Sequence, residues 1–185
     1  MDLHQAIYTR RATRAFTSEP VDRASLLRVI DAAIQAPSAV NEQPWSFTVV
    51  QDKAALARIS SESKAHVLRA PPKDIPAQHL RELLQNPAFD VLYAAPAVIV
   101  ISSVLHNQWA IENCALAAEN LMLAACAEGL GTCWIGFAQM WLATPAAKEV
   151  LHLPATCLPV APIIIGHPQS PPAPVPRKPA DVHWI

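Results

Sequence analysis

Arg10, Arg11 and Arg14 crowd into five residues near the start of the chain, with the hydroxyl of Thr13 among them. Guanidinium groups offer planar, paired donors that match the oxygens of a phosphate. A second cationic pair, Arg177-Lys178, lies near the other end, and no Lys or Arg occurs from Glu82 to Ala147. A chain with only 16% charged residues has no need to cluster its cations. The clusters ask for an anion. They suit one mononucleotide-sized phosphate and are too few for a nucleic-acid backbone groove. The arginine trio alone equally fits a solvated basic turn.

Two further segments carry usable chemistry. Pro37-Ser38-Ala39-Val40-Asn41-Glu42-Gln43-Pro44-Trp45 is a polar loop between two prolines. Its Ser38, Asn41 and Gln43 suit the polar edge of a heterocycle or a sugar chain, although Asn and Ser are also ordinary turn formers. The other segment is Gly129-Leu130-Gly131-Thr132-Cys133-Trp134-Ile135-Gly136-Phe137, which holds three of the four glycines. Glycines let a backbone approach a flat ligand closely. The segment has neither the GK[ST] ending of a P-loop nor the GxGxxG spacing. Cys133 fits a thiol nucleophile, but a small buried core residue is the commoner role of a free cysteine.

Composition bounds the class. A length of 185 residues fits one domain, and 52% hydrophobic residues fit a packed core rather than disorder. A net charge of −1 sets bulk nucleic-acid binding aside. The apolar stretch near Ala94–Ile101 is too short to span a bilayer and contains Pro96. No charged segment followed by an apolar run opens the chain, so no signal peptide is expected. The four cysteines lack CxxC spacing and read as reduced thiols in a cytoplasmic protein. Seven scattered histidines form no HExxH, so no metal site is expected.

These groups need elements to hold them. Asp2 can cap a short first helix with Leu3 and Ile7 on one face. Residues 10–16 lack periodicity and read as a loop. Asp22 opens a second helix striped with Leu26, Leu27, Val29, Ile30, Ala33 and Ile34, and Pro37 stops it. Strands are expected at Ser46–Gln51, Ala97–Val104 and Leu158–Gly166, the last at an edge or bulge because of Pro159 and Pro162. A helix is expected over Lys53–Ser61. The stretch Glu62–Asp90, with Pro71, Pro72, Pro76 and Pro87, reads as a loop with one helix near Ala77–Leu84. Gln108–Glu128 is the strongest helix, without Gly or Pro inside, and Gly129 ends it. Thr132–Phe137 reads as a short strand or turn. Thr144 caps a helix that starts at Pro145 and runs to about Leu151.

From Pro168 to Pro179, six of twelve residues are proline, so this segment stays extended. Val182 and Trp184 then alternate like a final strand. The segment fits either a frayed tail or an arm that wraps a second subunit. Residues 1–167 therefore form one α+β domain and residues 168–185 an arm. No glycine fingerprint follows the first strand, which disfavours a dinucleotide-binding doubly wound fold.

RRATRAF, APSAVNEQPWSFTVV, ENLMLAACAEGLGTCWIGF, and PIIIGHP followed by PRKP occur in that order over residues 10–179. Together they resemble the nitroreductase family of FMN-dependent oxidoreductases. The resemblance implies an α+β homodimer with a central, mainly antiparallel sheet flanked by helices. It implies one FMN in each of two interfacial sites and a C-terminal arm exchanged between subunits. By that match Arg10, Arg11, Ala12 and Arg14 contact FMN. Pro37, Ser38, Ala39 and Asn41 come from the opposite subunit. The backbone around Cys133, Trp134, Ile135 and Gly136 faces the reactive edge of the flavin. Arg177 completes the phosphate site, with Lys178 beside it. Ala12 stands where the family usually has Ser, so one side-chain hydrogen bond to the flavin is missing. The family's mid-chain Asn and Lys contacts have no counterpart that can be placed between Glu62 and Asp90.

The implied activity is NADH- or NADPH-driven reduction of a small-molecule electron acceptor, nitroaromatic, quinone-like or related, in alternating half-reactions. The cofactor carries that chemistry, in keeping with the lack of any triad or carboxylate dyad. A flavin-binding protein without turnover, as a store or regulator, would use the same binding residues. A thiol enzyme built on Cys133 is a third reading. A purely structural domain explains the core but not the two cationic ends.

Overall fold

The computed structural model describes residues 1–73 and 77–185. Helices α1 (Leu3–Thr9) and α2 (Arg23–Ala33) come first, followed by a single turn of 3-10 helix at Ala39–Asn41. Strand β1 (Trp45–Val50) and helices α3 (Lys53–Arg69) and α4 (Ala77–Leu84) lead to β2 (Ala97–Ser103). Helix α5 (Ala110–Ala127), β3 (Gly131–Trp134), α6 (Gly136–Leu142), α7 (Pro145–Val150) and β4 (Leu158–Gly166) complete the order. The four strands form one antiparallel sheet in the order β1-β2-β4-β3, an α+β architecture.

Both faces of the sheet are covered, because β2 and β4 are apolar on both sides. Val98, Val100, Cys133 and Ile164 pack beneath α3, α4, α6 and α7. Ile99, Ile101, Ile163 and Ile165 pack beneath α2 and α5. Each of these isoleucines is fully buried, which contributes about 1.5–3 kcal/mol per side chain. Strand β4 lies inside the sheet, not at its edge as its prolines led one to expect. However, β3 faces only Ile163–Gly166, so the proline-bearing half of β4 is bare on that side. The carbonyl of Pro162 points there and accepts from the N–H of Ile135 at 2.9 Å, so the missing proline N–H breaks no strand pairing. The expected bulge is present. Ile101 faces Ala161 and Ser102 faces Pro159, which leaves Val160 as the extra residue.

Helix α5 runs under the sheet on small residues. Cys114, Ala117, Ala118, Leu121 and Ala125 form its buried stripe. Its end is a Schellman closure: Gly129 (φ +79°) donates to Cys126 O and Leu130 donates to Ala125 O. That turn delivers the chain into β3. Among the described residues no helix is long and apolar enough to cross a membrane.

Several expectations are corrected. Helix α3 runs to Arg69, because Ser63 and Val67 extend its buried face beyond Ser61. Helix α6 replaces the turn expected after Trp134, with Ala138, Trp141 and Leu142 buried. Seven residues around a single glycine gave too short a period to read. Asp2 does cap α1 in a capping box with Gln5, but Ala6 is the buried residue and Leu3 and Ile7 are exposed. On α2, Leu27 and Ile34 are likewise exposed. No strand forms at Val182–Trp184 among the described residues; the prolines leave 169–185 extended and exposed. Pro76 lies outside the described residues.

Gly131 is the tightest joint. A Cβ there would lie 2.6 Å from Thr13 Oγ1 and 2.7 Å from Thr13 Cβ, whereas one at Gly136 would meet nothing within 4 Å. Gly131→Ala should therefore destabilise the fold by about 1–3 kcal/mol in urea denaturation. Adding Thr13→Ala should recover only part, since Thr13 Cβ remains in place. Gly136→Ala should stay within about 0.5 kcal/mol of wild type. Equal effects at the two glycines would contradict this packing.

Candidate functional site

The arginine loop is stitched to the end of the sheet. Ala12 bridges Thr132 in parallel register, and Thr13 donates from its N–H to Thr132 O at 2.9 Å. Phe16 bridges Pro168, and Thr17 N–H donates to His167 O. Gln169 returns to Ala15 O through its backbone and to Phe16 O through its side chain at 2.9 Å. Thr13 is buried against Gly131, so the neighbouring side chains at 10, 11 and 14 are forced to the flanks of this seam.

Two hollows lie along the seam. One, of about 360 Å³, is lined by Arg10, Arg11, Thr13, Gly129–Thr132 and the first arm prolines Pro168, Pro171 and Pro172. The other, of about 310 Å³, is lined mainly by apolar and aromatic side chains. Its walls are Arg14, Pro72, Val91, Tyr93, Cys133–Phe137 and Met140.

The three arginines differ in state. Arg10 Nε lies 3.4 Å from Glu119, a partly exposed pair that contributes little and yields readily to a stronger anion. Arg11 folds back, donating from Nη1 to Tyr8 O at 2.8 Å and Arg10 O at 2.7 Å. Its Nε is buried without a partner, a donor that an anion would satisfy. Arg14 has no carboxylate partner among the described residues and lies over the ring of Tyr93, with Cζ 5.8 Å from the centroid. A site with two cations to spare, one orphaned donor and open backbone at Gly136 fits a flat anionic group.

Of the fourteen positions the sequence singles out, seven line these hollows, Ala12 lies on the seam, and six are not brought to the hollows by the single chain. Arg10, Arg11 and Arg14 reach them, as do Cys133, Trp134, Ile135 and Gly136. Ala12 is exposed on the seam between them. Pro37, Ser38, Ala39 and Asn41 line neither hollow. Their loop is fixed to the start of α5 instead: Ala39 N–H donates to Asn113 Oδ1 at 2.9 Å, and Glu42 accepts from Asn107 at 2.8 Å. Ser38 Oγ accepts from Gln43 N–H at 2.9 Å. Val40, Asn41 and Gln43 all have positive φ, and Val40 is 92% exposed. A β-branched residue in that conformation is strained and persists only because its flanks are held. Arg177 and Lys178 are exposed on the arm and line neither hollow.

Tyr93, Val91 and Met140 are not singled out by the sequence, and Phe137 enters only as the end of the glycine segment. Phe137 and Met140 share a face of α6, which was itself missed. Asp90 two residues before Leu92 is a turn signal, but it says nothing of what the turn carries.

Cys133 is buried, and burial pushes its thiol up while Arg14 and Arg10 pull it down. Burial also pushes Cys114 up to about 11. Both stay protonated at neutral pH, which disfavours nucleophilic chemistry. Cys126 is the half-buried exception. Iodoacetamide at neutral pH should label Cys126 first and spare Cys114, Cys133 and Cys157, as read by peptide mapping. Rapid labelling of Cys133 would restore the thiol-enzyme reading.

Comparison with known proteins agrees with this geometry. Residues 7–167 match the nitroreductase family. A Methanothermobacter thermautotrophicus protein provisionally named NADH dehydrogenase/NAD(P)H nitroreductase is 30% identical over 176 residues, covering 93% of this chain and 80% of its own. A Bacteroides fragilis nitroreductase solved with bound FMN superposes with a TM-score of 0.82 at 25% identity, covering all of this chain and 97% of that one. A Desulfitobacterium hafniense nitroreductase with bound FMN has the same fold, with a TM-score of 0.85 at 22% identity over 100% of this chain and 99% of that one. Because the family match runs over residues 7–167, most of the chain, the chain belongs to the nitroreductase family.

Proposed function

We propose that this chain is an FMN-dependent oxidoreductase that uses NADH or NADPH to reduce nitroaromatic, quinone-like or related small acceptors. The observation that carries the reading is the seam at Thr13 and Gly131, which sets a cationic hollow beside an apolar one. The bound FMN of the Bacteroides fragilis relative and the NAD(P)H in the archaeal relative's name support it.

FMN, when bound, supplies the two-electron chemistry. The residues of the chain bind and orient. Arg10 and Arg11 flank the cationic hollow and suit the phosphate. Arg14 supplies positive charge in the wall of the apolar hollow, where it favours negative charge on a flat ring. The backbone of Cys133–Gly136 edges the apolar hollow. Trp134 is held in place by its Nε1 donating to Gln139 at 3.1 Å. Among the described residues that line the apolar hollow there is no His, Asp, Glu or Lys, which favours acceptors that take electrons without a positioned proton.

The reading includes a homodimer. Leu3, Ile7 and Tyr8 on α1, Leu27 and Ile34 on α2, and Ile111 and Leu116 on α5 are exposed apolar side chains of the kind a second copy would cover. The loop at 37–45 then completes the partner's site, and the arm at 168–185, which starts along Arg10 and Arg11, brings in Arg177 and Lys178.

The binding test compares FMN with riboflavin, which lacks the phosphate. Charge-assisted hydrogen bonds contribute about 1.5–3 kcal/mol each. Arg10→Ala, Arg14→Ala and Arg177→Ala should each weaken FMN about ten- to hundredfold. Deleting 168–185 should weaken both FMN binding and the dimer, read by light scattering. Equal affinity for FMN and riboflavin would refute a phosphate-anchored site.

The kinetic test follows from one shared ligand-binding hollow, so that donor and acceptor take turns. Initial rates with NAD(P)H varied at several fixed acceptor concentrations should give parallel double-reciprocal lines. Intersecting lines would indicate a ternary complex. Bound FMN without turnover of any acceptor would support a store or regulator instead.

A further inference from the structure

The turn that leads into β2 is held more firmly than a connection requires. Tyr93 and Ala94 are consecutive left-handed residues, φ 54° and 53°. Residues with a Cβ seldom adopt that conformation, and two in a row persist only where the surroundings impose it. The restraints are specific. The Asp90 carboxylate accepts from Leu92 N–H at 2.8 Å and from Ala94 N–H at 2.9 Å. Ser60 Oγ accepts from Val91 N–H at 3.2 Å. Lys64 Nζ donates to Asn86 O at 2.9 Å and Phe89 O at 2.8 Å.

All this fixes one aromatic ring. Tyr93 meets Phe89 edge to face, at 5.8 Å and 88° between planes, and carries the Arg14 guanidinium over its ring. Half-buried, it forms part of the wall of the apolar hollow. Asp90, Leu92 and Ala94 line a separate hollow of about 390 Å³. The alternation of the turn thus assigns Tyr93 to the site and Asp90 to its support.

We propose that Tyr93 is a specificity-determining residue that selects planar aromatic acceptors by stacking, and that Asp90 is a positioning residue acting through it. This rests on the functional reading above. A ring already fixed in place loses little freedom when a flat acceptor packs on it, which is how a preorganised anchor gains affinity. The flexible Met140 cannot impose a plane in the same way. Asp90 contributes because only a carboxylate presents two acceptor oxygens to two N–H groups; an amide offers one.

The experiment uses the FMN-loaded protein and two acceptors, nitrobenzene, which is planar, and ferricyanide, which needs no stacking seat. Tyr93→Leu keeps an apolar side chain and removes the ring. The ratio of kcat/KM for nitrobenzene to that for ferricyanide should fall about tenfold, through KM. Tyr93→Phe should restore it. Asp90→Asn should lower the ratio in part, and should add nothing in the Tyr93→Leu background. An unchanged ratio in FMN-loaded Tyr93→Leu overturns the proposal while leaving the functional reading intact. If Tyr93→Leu fails to fold, a tenfold loss in Tyr93→Phe, or no loss in Asp90→Asn, overturns it instead. Wild-type protein that binds no FMN overturns both readings.

Discussion

The site depends on one close approach, that of Thr13 to Gly131. The loop carrying the arginines has no regular structure of its own, so it cannot fix three long cationic side chains by itself. It borrows order from β3 through the Ala12–Thr132 bridge and the Thr13 N–H bond, and from the start of the arm through Phe16 and Pro168. With Thr13 turned inward and buried, alternation along an extended backbone turns its neighbours outward. A side chain at residue 131 would clash with Thr13 and hold the loop off the strand. The single hydrogen in place of a side chain is what lets a loop behave as a fifth strand at that point.

The path to Gly131 explains the long cation-free stretch of the sequence. Helix α5 runs beneath the sheet on a buried stripe of alanines with Cys114 and Leu121. A lysine or arginine on its buried stripe would have to be desolvated without a partner. Helix α5 nevertheless serves polar ends of the site on its flanks. Asn113, buried near its start, holds the 37–45 loop by accepting from Ala39 N–H, and Glu119 pairs with Arg10. The two lie six residues apart, about 9 Å along the axis at 1.5 Å per residue. One buried helix therefore spaces the loop of one functional region from the arginines of the other.

What the sequence made legible follows the range of the signal. Local signals were reliable: the Asp2, Asp22 and Thr144 caps, the glycine that closes α5, and the apolar strands β2 and β4 all stand where their residues put them. The arginines and the Cys133–Gly136 backbone could be named because their types imply chemistry without any knowledge of packing. Helix faces were less legible. Leu3, Ile7, Leu27 and Ile34 are apolar yet exposed, because periodicity marks the stripe that wants burial and not the surface that supplies it. Tyr93 was illegible for a different reason. Its place in the site comes from Arg14 over its ring and from the bonds of Ser60 and Lys64 to its turn, all between distant parts of the sequence, and no local pattern encodes them.

The distribution of strain points the same way. Among the described residues, non-glycine residues with positive φ cluster in two places, Val40–Gln43 and Tyr93–Ala94, with His152 alone elsewhere. Neither cluster lies in the core, and each is held by side chains from another element, Asn113 and Asn107 in one case, Ser60 and Lys64 in the other. A fold gains no stability from holding a β-branched or aromatic residue in the left-handed region, since a glycine would sit there with less strain. Glycine was in fact available to this chain, which places it at Gly129 for the αL cap and at Gly131 for the close approach. The side chains at 40, 41, 43, 93 and 94 are therefore retained at a cost in backbone energy. One cluster borders the apolar hollow through Tyr93, and the other is exposed at Val40 and lines neither hollow.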